Sequence, residues 1–428
     1  MAVFLFCTLV VMLGLSIPIF VCLSGTVVVA FIMFSDVPLM TVVMRMFAGI
    51  DKFALMAIPF FVLAANLMSE GGISRRIIDL ANALVGNFRG GLAISTVLAC
   101  TFFSAICGSS PATVVAIGGL LFPAMVKANY PKSFASGLIT SSGSLGIIFP
   151  PSVNMIVYGA VTGVSVGALF VAGVGAGLLF TAALMLYAYI KTSRLPDILC
   201  SDKADSAVIW RSMREAAWGL GVPVIILGGI YGGVFTPTEA AAVAVIYAFV
   251  ISTLVYREAT IATLYKALVS SAVTTAQIMI LLAAASVFGW ILTAEGITKD
   301  IAETMMALSQ NPYMILLMIN IIFLVAGMFI DGASITIILA PLFYPIAVNV
   351  GIDPVHLGIV IVVNSAIGMF TPPFGLNLFV ATSITDQPLS QVSKGILPFI
   401  VVTILALLVI TYIPDASLWL PRQIYGAW

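Results

Sequence analysis

The sequence predicts an all-α polytopic membrane protein, built as an inverted repeat with two re-entrant hairpins and two broken helices. Three observations carry that expectation: the composition, the spacing of the charges, and motifs that recur at a nearly constant offset. Of 428 residues 62% are hydrophobic and 8% charged, against about 45–50% and a quarter in soluble domains. No Asp, Glu, Lys or Arg occurs in 1–35, 53–69, 90–126, 133–190, 267–294, 304–330, 354–385 or 395–414. Uncharged, mainly apolar stretches of about 18 residues or more read as membrane-spanning helices, and 133–190 is long enough for two.

The same composition excludes other classes. The 17 basic and 17 acidic residues cancel, and no basic run offers a footprint for nucleic acid. A β-barrel would show short alternating segments rather than continuous apolar runs. Cys7, Cys22, Cys100, Cys107 and Cys200 stand singly, as small buried hydrophobes rather than metal ligands. With one histidine, His356, no His-based transition-metal site is expected. Residues 1–17 lack a basic leader and run into further apolar sequence, so no cleaved signal peptide is expected.

Polar breaks divide the apolar sequence into candidate helices in this order. Residues 2–16 and 18–34 are separated at Ile17-Pro18, and 53–69 follows the charged pair Asp51-Lys52. Segments 90–107 and 113–126 flank Gly108-Ser-Ser-Pro111; 133–147 and 154–163 flank Pro150-Pro151. Then come 168–190, 216–233, 238–256 and 268–294, each bounded by charges, Gly or Pro. The pattern repeats with 312–329 and 335–347 around Asp331, and 355–368 and 377–384 around Pro372-Pro373, before 396–413. Several are too short to cross ~30 Å of hydrocarbon at 1.5 Å per residue. The short ones come in pairs, and membranes tolerate such breaks only where the backbone lines a protein cavity.

The stretch 191–215 carries Lys191, Arg194, Lys203, Arg211 and Arg214, which places it in the cytoplasm. Working outwards, Arg75, Arg76, Arg89, Lys127, Lys132, Arg257, Lys266 and Lys394 also fall inside. The loops at 161–167 and 348–354, without Lys or Arg, fall outside, as does the N-terminus; Arg45, Lys52, Lys299 and Arg422 are exceptions. On either side of 191–215 lie two similar halves, 1–190 and 216–428. Met68-Ser-Glu-Gly-Gly-Ile-Ser recurs as Thr293-Ala-Glu-Gly-Ile-Thr, and Gly108–Thr113 as Asp331–Thr336. Gly146-Ile-Ile-Phe-Pro-Pro151 recurs as Gly368-Met-Phe-Thr-Pro-Pro373. Since 70–89 falls inside and its counterpart 295–311 outside, the repeat is inverted. The expected parts are a hairpin over about 90–126 and a broken helix over about 133–163, then a hairpin over about 312–347 and a broken helix over about 355–384. Inverted repeats with discontinuous helices point to a secondary transporter.

The breaks also carry the candidate chemistry. Freed backbone carbonyls with hydroxyl and amide oxygens are hard ligands that suit Na⁺, and restarting helix N-termini suit an anion. Thr113, Asn154, Thr336 and Asn377 lie at such restarts and are candidates for the anion. Asp331 lies between two uncharged runs, and an intramembrane carboxylate is a functional hypothesis by default. Glu239, in Thr236-Pro-Thr-Glu239, reads at least as well as a helix cap. Gly163-Val-Ser165-Val-Gly167 matches a nucleophile-elbow pattern without its strand–turn–helix setting or a nearby histidine, and is a chance match. Gly159, Gly163, Gly167, Gly173 and Gly177 have the spacing of close helix packing.

At these residues the chain resembles the large membrane subunit of tripartite ATP-independent periplasmic (TRAP) transporters, over essentially its whole length. The most specific motif is Gly232-Gly-Val-Phe-Thr-Pro-Thr-Glu-Ala-Ala-Ala-Val-Ala-Val-Ile-Tyr247. Phe103–Thr113, Leu145–Ser152 and Thr371–Asn377 are also similar to the family's, while Cys107 and Pro111 depart from it. The resemblance implies a sodium-coupled importer of an organic acid anion, such as a dicarboxylate, sialic acid or another sugar acid. It implies no enzyme activity and no cofactor beyond the coupling ion. The implied setting is the bacterial inner membrane and its lipid bilayer, with a small four-helix membrane subunit and a periplasmic substrate-binding protein as partners. The implied fold is similar to that of elevator-type ion transporters, with hairpins and broken helices mobile against a fixed scaffold. On matching positions, one Na⁺ site would use Ser109 and Ser110 with the stretch from Gly143 through Gly146 and Pro150 to Pro151. The second would use Asp331 and Gly332 with Gly368, Thr371 and Pro372.

A stand-alone sodium/dicarboxylate symporter is the nearest competitor, and the Thr236–Ala242 motif argues against it. An ion channel would show rings of like charge, and an intramembrane enzyme a nucleophile–base pair or metal cluster. The inverted topology is testable: single cysteines at Ser201 and Asn349, in a cysteine-free background, should label from opposite sides with an impermeant reagent. Labelling from one side would refute the inversion.

Overall fold

Regular structure among the described residues is entirely helical: twenty α-helices, two 3₁₀ turns and one π-helical turn. The computed structural model describes residues 1–15, 17–34, 37–88, 90–195, 198 and 205–426. Ser16, Ser35, Arg89, Cys200, Ser201 and Lys203 lie outside the described residues. Among the described residues, eight helical segments are long and apolar enough to cross a membrane, so the protein is a multi-pass membrane protein.

The chain begins with α1 (Ala2–Gly14), α2 (Ile19–Phe34), α3 (Met40–Ile50), α4 (Ala57–Glu70) and α5 (Ile73–Val85). Next come α6 (Gly91–Cys107) and α7 (Ser110–Lys127), then α8 (Lys132–Gly143), α9 (Val153–Thr162) and the long α10 (Val166–Ser193). Beyond the connecting loop are α11 (Ser206–Tyr231), α12 (Pro237–Val250) with the π-turn Ile251–Val255, α13 (Ile261–Ala294) and α14 (Ile297–Leu308). The final group is α15 (Pro312–Gly327), α16 (Gly332–Asn349), α17 (Pro354–Gly368), α18 (Leu376–Thr385), α19 (Leu389–Tyr412) and α20 (Asp415–Tyr425).

Several boundaries differ from those the sequence suggests. Helix α3, α5, α14 and α20 were not expected, because Arg45, Arg75, Arg76, Asp79, Lys299, Asp300, Glu303, Asp415 and Arg422 interrupt the uncharged runs. Each is amphipathic, with charge on one face and an apolar face to bury. The loop expected over 191–215 is shorter, because α10 runs on to Ser193 and α11 begins at Ser206. Helix α13 starts seven residues early, at Ile261, where Thr260 and Thr263 form a capping box. Cys22, Cys100 and Cys107 are buried as expected, whereas Cys7 is exposed.

Helix α4 and α13 gather α2, α3 and α12, while α8 lies between α7 and α19. The hairpins and broken helices interlock crosswise: α16, from the second half, packs on α9 from the first, and α18 packs on α7. Helix α15 meets α17 where a Cβ on Gly327 would stand 2.8 Å from Gly368 Cα, so only glycine permits that approach. Gly173 and Gly177 pack as closely, against Met155 and the Phe149 ring. Gly163 instead has φ +81° and nothing near its missing Cβ; it caps α9.

His356 is structural. Its Nδ1 lies 3.0 Å from Ser417 Oγ and its Nε2 3.1 Å from the Thr411 carbonyl, joining α17 to α19 and α20. From Thr411 a buried polar chain continues: Asn320 donates to its hydroxyl at 3.1 Å, and Asn364 donates to Asn320 at 2.7 Å. Gly327→Ala is expected to lower stability by about 1–3 kcal/mol through overpacking against Gly368, read as a fall in the thermal midpoint of the purified protein. An unchanged midpoint would mean the α15–α17 contact adjusts freely.

Candidate functional site

The first tip is set by Gly108, which ends α6 at φ +63°, a conformation that favours glycine. Ser109 is extended, and Pro111 sits in the first turn of α7, where its missing N–H costs nothing. The Thr113 hydroxyl donates back to the Ser109 carbonyl at 2.8 Å. A Cβ on Gly108 would lie 2.6 Å from the Pro151 carbonyl, and one on Gly146 would lie 2.7 Å from Thr113 Oγ1 and abut the Ser109 carbonyl. Ser109, Thr113, Gly146 and Pro151 are therefore brought together. Gly143 faces the start of α7 at Val114. Between α8 and α9 the chain tightens into a 3₁₀ turn over Ser144–Ile147, then passes a cis Pro150–Pro151 bond. All of 141–152 is buried.

The second half holds the same parts with different chemistry. Asp331 is the N-cap of α16, its carboxylate accepting the Ala333 and Ser334 N–H groups at 3.1 Å each and the Ser334 hydroxyl. Its oxygens are thus engaged at its own helix start, and no bond joins it to Gly368, Thr371 or Pro372. Thr336 donates to the Gly332 carbonyl at 2.8 Å. After Gly368 the chain is held by Thr371 Oγ1 on the Ile367 carbonyl at 2.7 Å and by Asn377 N–H on the Met369 carbonyl at 2.8 Å. Here too the paired prolines, Pro372–Pro373, are joined cis. Unlike the first break, this one leaves Pro373 and Phe374 exposed.

The two restarting helices reach across to the opposite tip. The Asn377 side-chain amide donates to Ser110 Oγ at 2.7 Å. In the mirrored position, a Cβ on Gly332 would stand 2.6 Å from Asn154 Nδ2, so the amide occupies the space that glycine leaves. The candidates Ser110, Asn154, Gly332 and Asn377 form two such cross-half pairs; Thr336 and Thr371 are bonded within their own segments.

Ser142 and Asn364 are not among the residues the sequence singles out. Both are fully buried, and Ser142 Oγ, Asn364 Oδ1, Asn154 Nδ2 and Asn377 Oδ1 have no hydrogen-bond partner. The offset that aligns Gly146 with Gly368 also aligns Ser142 with Asn364, one helical turn upstream; that was the available signal. Buried oxygens without partners are the kind of ligand a hard cation takes. No cluster of three His, Cys, Asp or Glu side chains exists among the described residues.

Two side features resolve simply. Thr236 and Glu239 form a capping box, Glu239 Oε2 accepting from Thr236 N at 2.8 Å and Thr236 Oγ1 accepting from Glu239 N at 3.3 Å. Ser165 caps α10 by accepting from Ala168 N at 3.3 Å, which accounts for it without a catalytic role.

The sequence model of the family described as "Tripartite ATP-independent periplasmic transporter, DctM component" matches residues 6–416. The chain belongs to this family. It is a TRAP large permease and not an enzyme. It is 45% identical to the C4-dicarboxylate TRAP transporter large permease protein of Pseudomonas aeruginosa, over 94% of this chain and 93% of that one. It is 40% identical to the ectoine/5-hydroxyectoine TRAP large permease of Ruegeria pomeroyi, over 98% of each. In structure it is similar to the YdaH transporter of Alcanivorax borkumensis, with TM-score 0.60 and 16% identity over 90% and 88% of the two chains. That likeness is one of fold.

The capping box of this TRAP permease separates structure from function at its most specific motif. Thr236→Ala is expected to cost about 1 kcal/mol, and Glu239→Gln, which keeps an accepting oxygen, less than ~0.5 kcal/mol, both read by thermal unfolding. An uptake defect in Glu239→Gln at unchanged stability would give Glu239 a role beyond the cap.

Proposed function

We propose that this chain is the large permease subunit of a sodium-coupled TRAP importer of an organic acid anion in the bacterial inner membrane. A C4-dicarboxylate is the first candidate substrate, since the 45%-identical relative is named for one; sialic acid and other sugar acids come next. The carrying observation is the crosswise contact of each restarting helix with the opposite hairpin tip, amid buried polar atoms without partners. Those contacts tie both hairpins and both broken helices into one unit. Such a unit would move as a body against α2, α3, α4, α12 and α13, which supports an elevator-type mechanism and an inverted repeat divided at the connecting loop.

In this reading Na⁺ is a co-substrate. The first site draws on Ser109, Ser110, Gly143, Gly146, Pro150 and Pro151, with Ser142 added by its orphaned hydroxyl. The second draws on Asp331, Gly332, Gly368, Thr371 and Pro372, with Asn364 added likewise. Asp331 acts there chiefly through its charge, because its oxygens already hold the start of α16. The anion lies against the Asn154 amide, whose N–H group has no partner, near the N-termini led by Thr113, Thr336 and Asn377, where helix dipoles favour negative charge. Substrate arrives on a periplasmic binding protein, and a small four-helix membrane subunit completes the fixed scaffold.

The test is uptake in proteoliposomes holding the chain with its small subunit, using malate, sialic acid and ectoine, with and without binding protein and a Na⁺ gradient. Uptake is expected only with all components; robust transport by the isolated chain would favour a stand-alone symporter. Asp331→Asn is expected to raise the Na⁺ needed for half-maximal uptake about tenfold, roughly 1.4 kcal/mol, while folding is preserved because Asn caps as well as Asp. Asp353→Asn is the matched control, since Asp353 caps α17 through Val355 and His356 N–H groups. Equal behaviour of the two variants would reduce Asp331 to a cap.

A further inference from the structure

A basic pocket lies at the end of the molecule that the charge count places in the cytoplasm. Its cavity of about 560 Å³ is bounded by Arg76 of α5, by Arg211, Arg214, Glu215 and Trp218 of α11, and by Tyr256 beyond the π-turn of α12. The wall is built rather than incidental. Arg76 lies 3.8 Å from the Tyr256 ring centroid, with one guanidinium nitrogen on the Gly72 carbonyl at 3.0 Å and another on Glu258 at 2.6 Å. Tyr256 is pinned from the other side, donating to the Glu215 carbonyl at 2.8 Å and accepting from Gly219 N–H at 3.1 Å. Arg211 is bonded to Glu215 through Nε at 2.9 Å, which leaves its terminal nitrogens free. Asp79, which faces Arg75, Arg76 and Glu215, joins Glu215 and Glu258 in offsetting Arg75, Arg76 and Arg211, and Arg214, with no ion pair among the described residues, is one positive charge in excess.

We propose that this pocket binds the phosphodiester headgroup of an anionic phospholipid of the cytoplasmic leaflet. One phosphodiester carries the single negative charge that the excess matches, and free guanidinium N–H groups suit its oxygens in pairs. The apolar rim points to a lipid rather than free phosphate. Trp218 and Val255 line the pocket and are 49% and 40% exposed, and Leu254 beside them is 65% exposed, an apolar path for an acyl chain leading from the arginines. Trp210, 70% exposed on the same helix, has the amphipathic ring that settles at the membrane–water interface. Basic pockets between helices on the cytoplasmic side hold such headgroups, and no residue here belongs to the proposed transport site.

The experiment uses the full chain purified with its small subunit and stripped of native lipid. Native mass spectrometry then reads retention of phosphatidylglycerol against phosphatidylcholine of the same acyl chains, with inorganic phosphate as competitor. Phosphatidylglycerol should be retained preferentially and resist excess phosphate. Arg211→Gln and Arg214→Gln should each weaken that preference about fivefold, with Arg214→Lys, which keeps the charge but not the paired N–H groups, weakening it less. Both glutamine variants alter exposed side chains, so their thermal midpoints in phosphatidylcholine should match the parent and separate lost binding from lost folding. Equal retention of the two lipids, an undiminished preference in the double glutamine variant, or displacement by inorganic phosphate would each overturn the proposal.

Discussion

Everything in this molecule depends on how it satisfies backbone polar groups where helices stop inside apolar sequence. In hydrocarbon an unpaired N–H or C=O costs several kcal/mol, so a helix end must be buried against protein. At the first tip, the Pro151 carbonyl fills the space beside Gly108 and Asn377 supplies a donor to Ser110. At the second tip, Asp331 takes two N–H groups itself, while Asn154 and Ser365 close over Gly332. Each tip is thus finished partly by its own broken helix and partly by the other half's. Neither half contains all the groups needed to bury its own breaks, and this is why hairpins and broken helices from both are interleaved.

Glycine and proline made the breaks legible in the sequence. Gly108-Ser-Ser-Pro111 and the paired prolines at 150–151 and 372–373 stand in apolar surroundings where they have no other use, and the structure interrupts its helices at each of them. Helices that carry charge were not legible by the same criterion. In α5, Arg75, Arg76 and Asp79 interrupt the apolar run, yet Ile73, Ile77, Leu80 and Ala81 form one buried face; a search at the helical period rather than for uncharged length finds it. The cross-half contacts were beyond any local pattern. Asn377 and Ser110 are separated by 267 positions, and nothing beside either residue specifies the other.

Three acids show how one local interaction serves different ends. Asp331, Asp353 and Glu239 each stand at a helix N-terminus and accept backbone N–H there, Glu239 from Thr236, as the dipole favours. Sequence distinguished Asp331 by its isolation between uncharged runs, and structure shows its carboxylate engaged in the same way as the other two. Capping explains how an acid is tolerated at that depth but not why one is needed, since the first tip is capped by no side chain: Ser109 leaves that position unbonded. The two tips solve the same backbone problem, one with a charged cap and one without.

The orphaned atoms sharpen that asymmetry. Leaving a buried polar group unpaired costs about 1–3 kcal/mol, and Ser142, Asn154, Asn364 and Asn377 incur it in two pairs related by the repeat offset. Asn364 is the end of the chain running from His356 through Thr411 and Asn320, so its amide is held on one side and its oxygen left free on the other. Asn377 is held likewise, its nitrogen on Ser110 and its oxygen free. In both, the donor is committed to protein, fixing an acceptor whose rotamer entropy is already lost. An oxygen positioned in that way could meet a ligand without a further ordering cost, which is what the proposed cation sites would draw on.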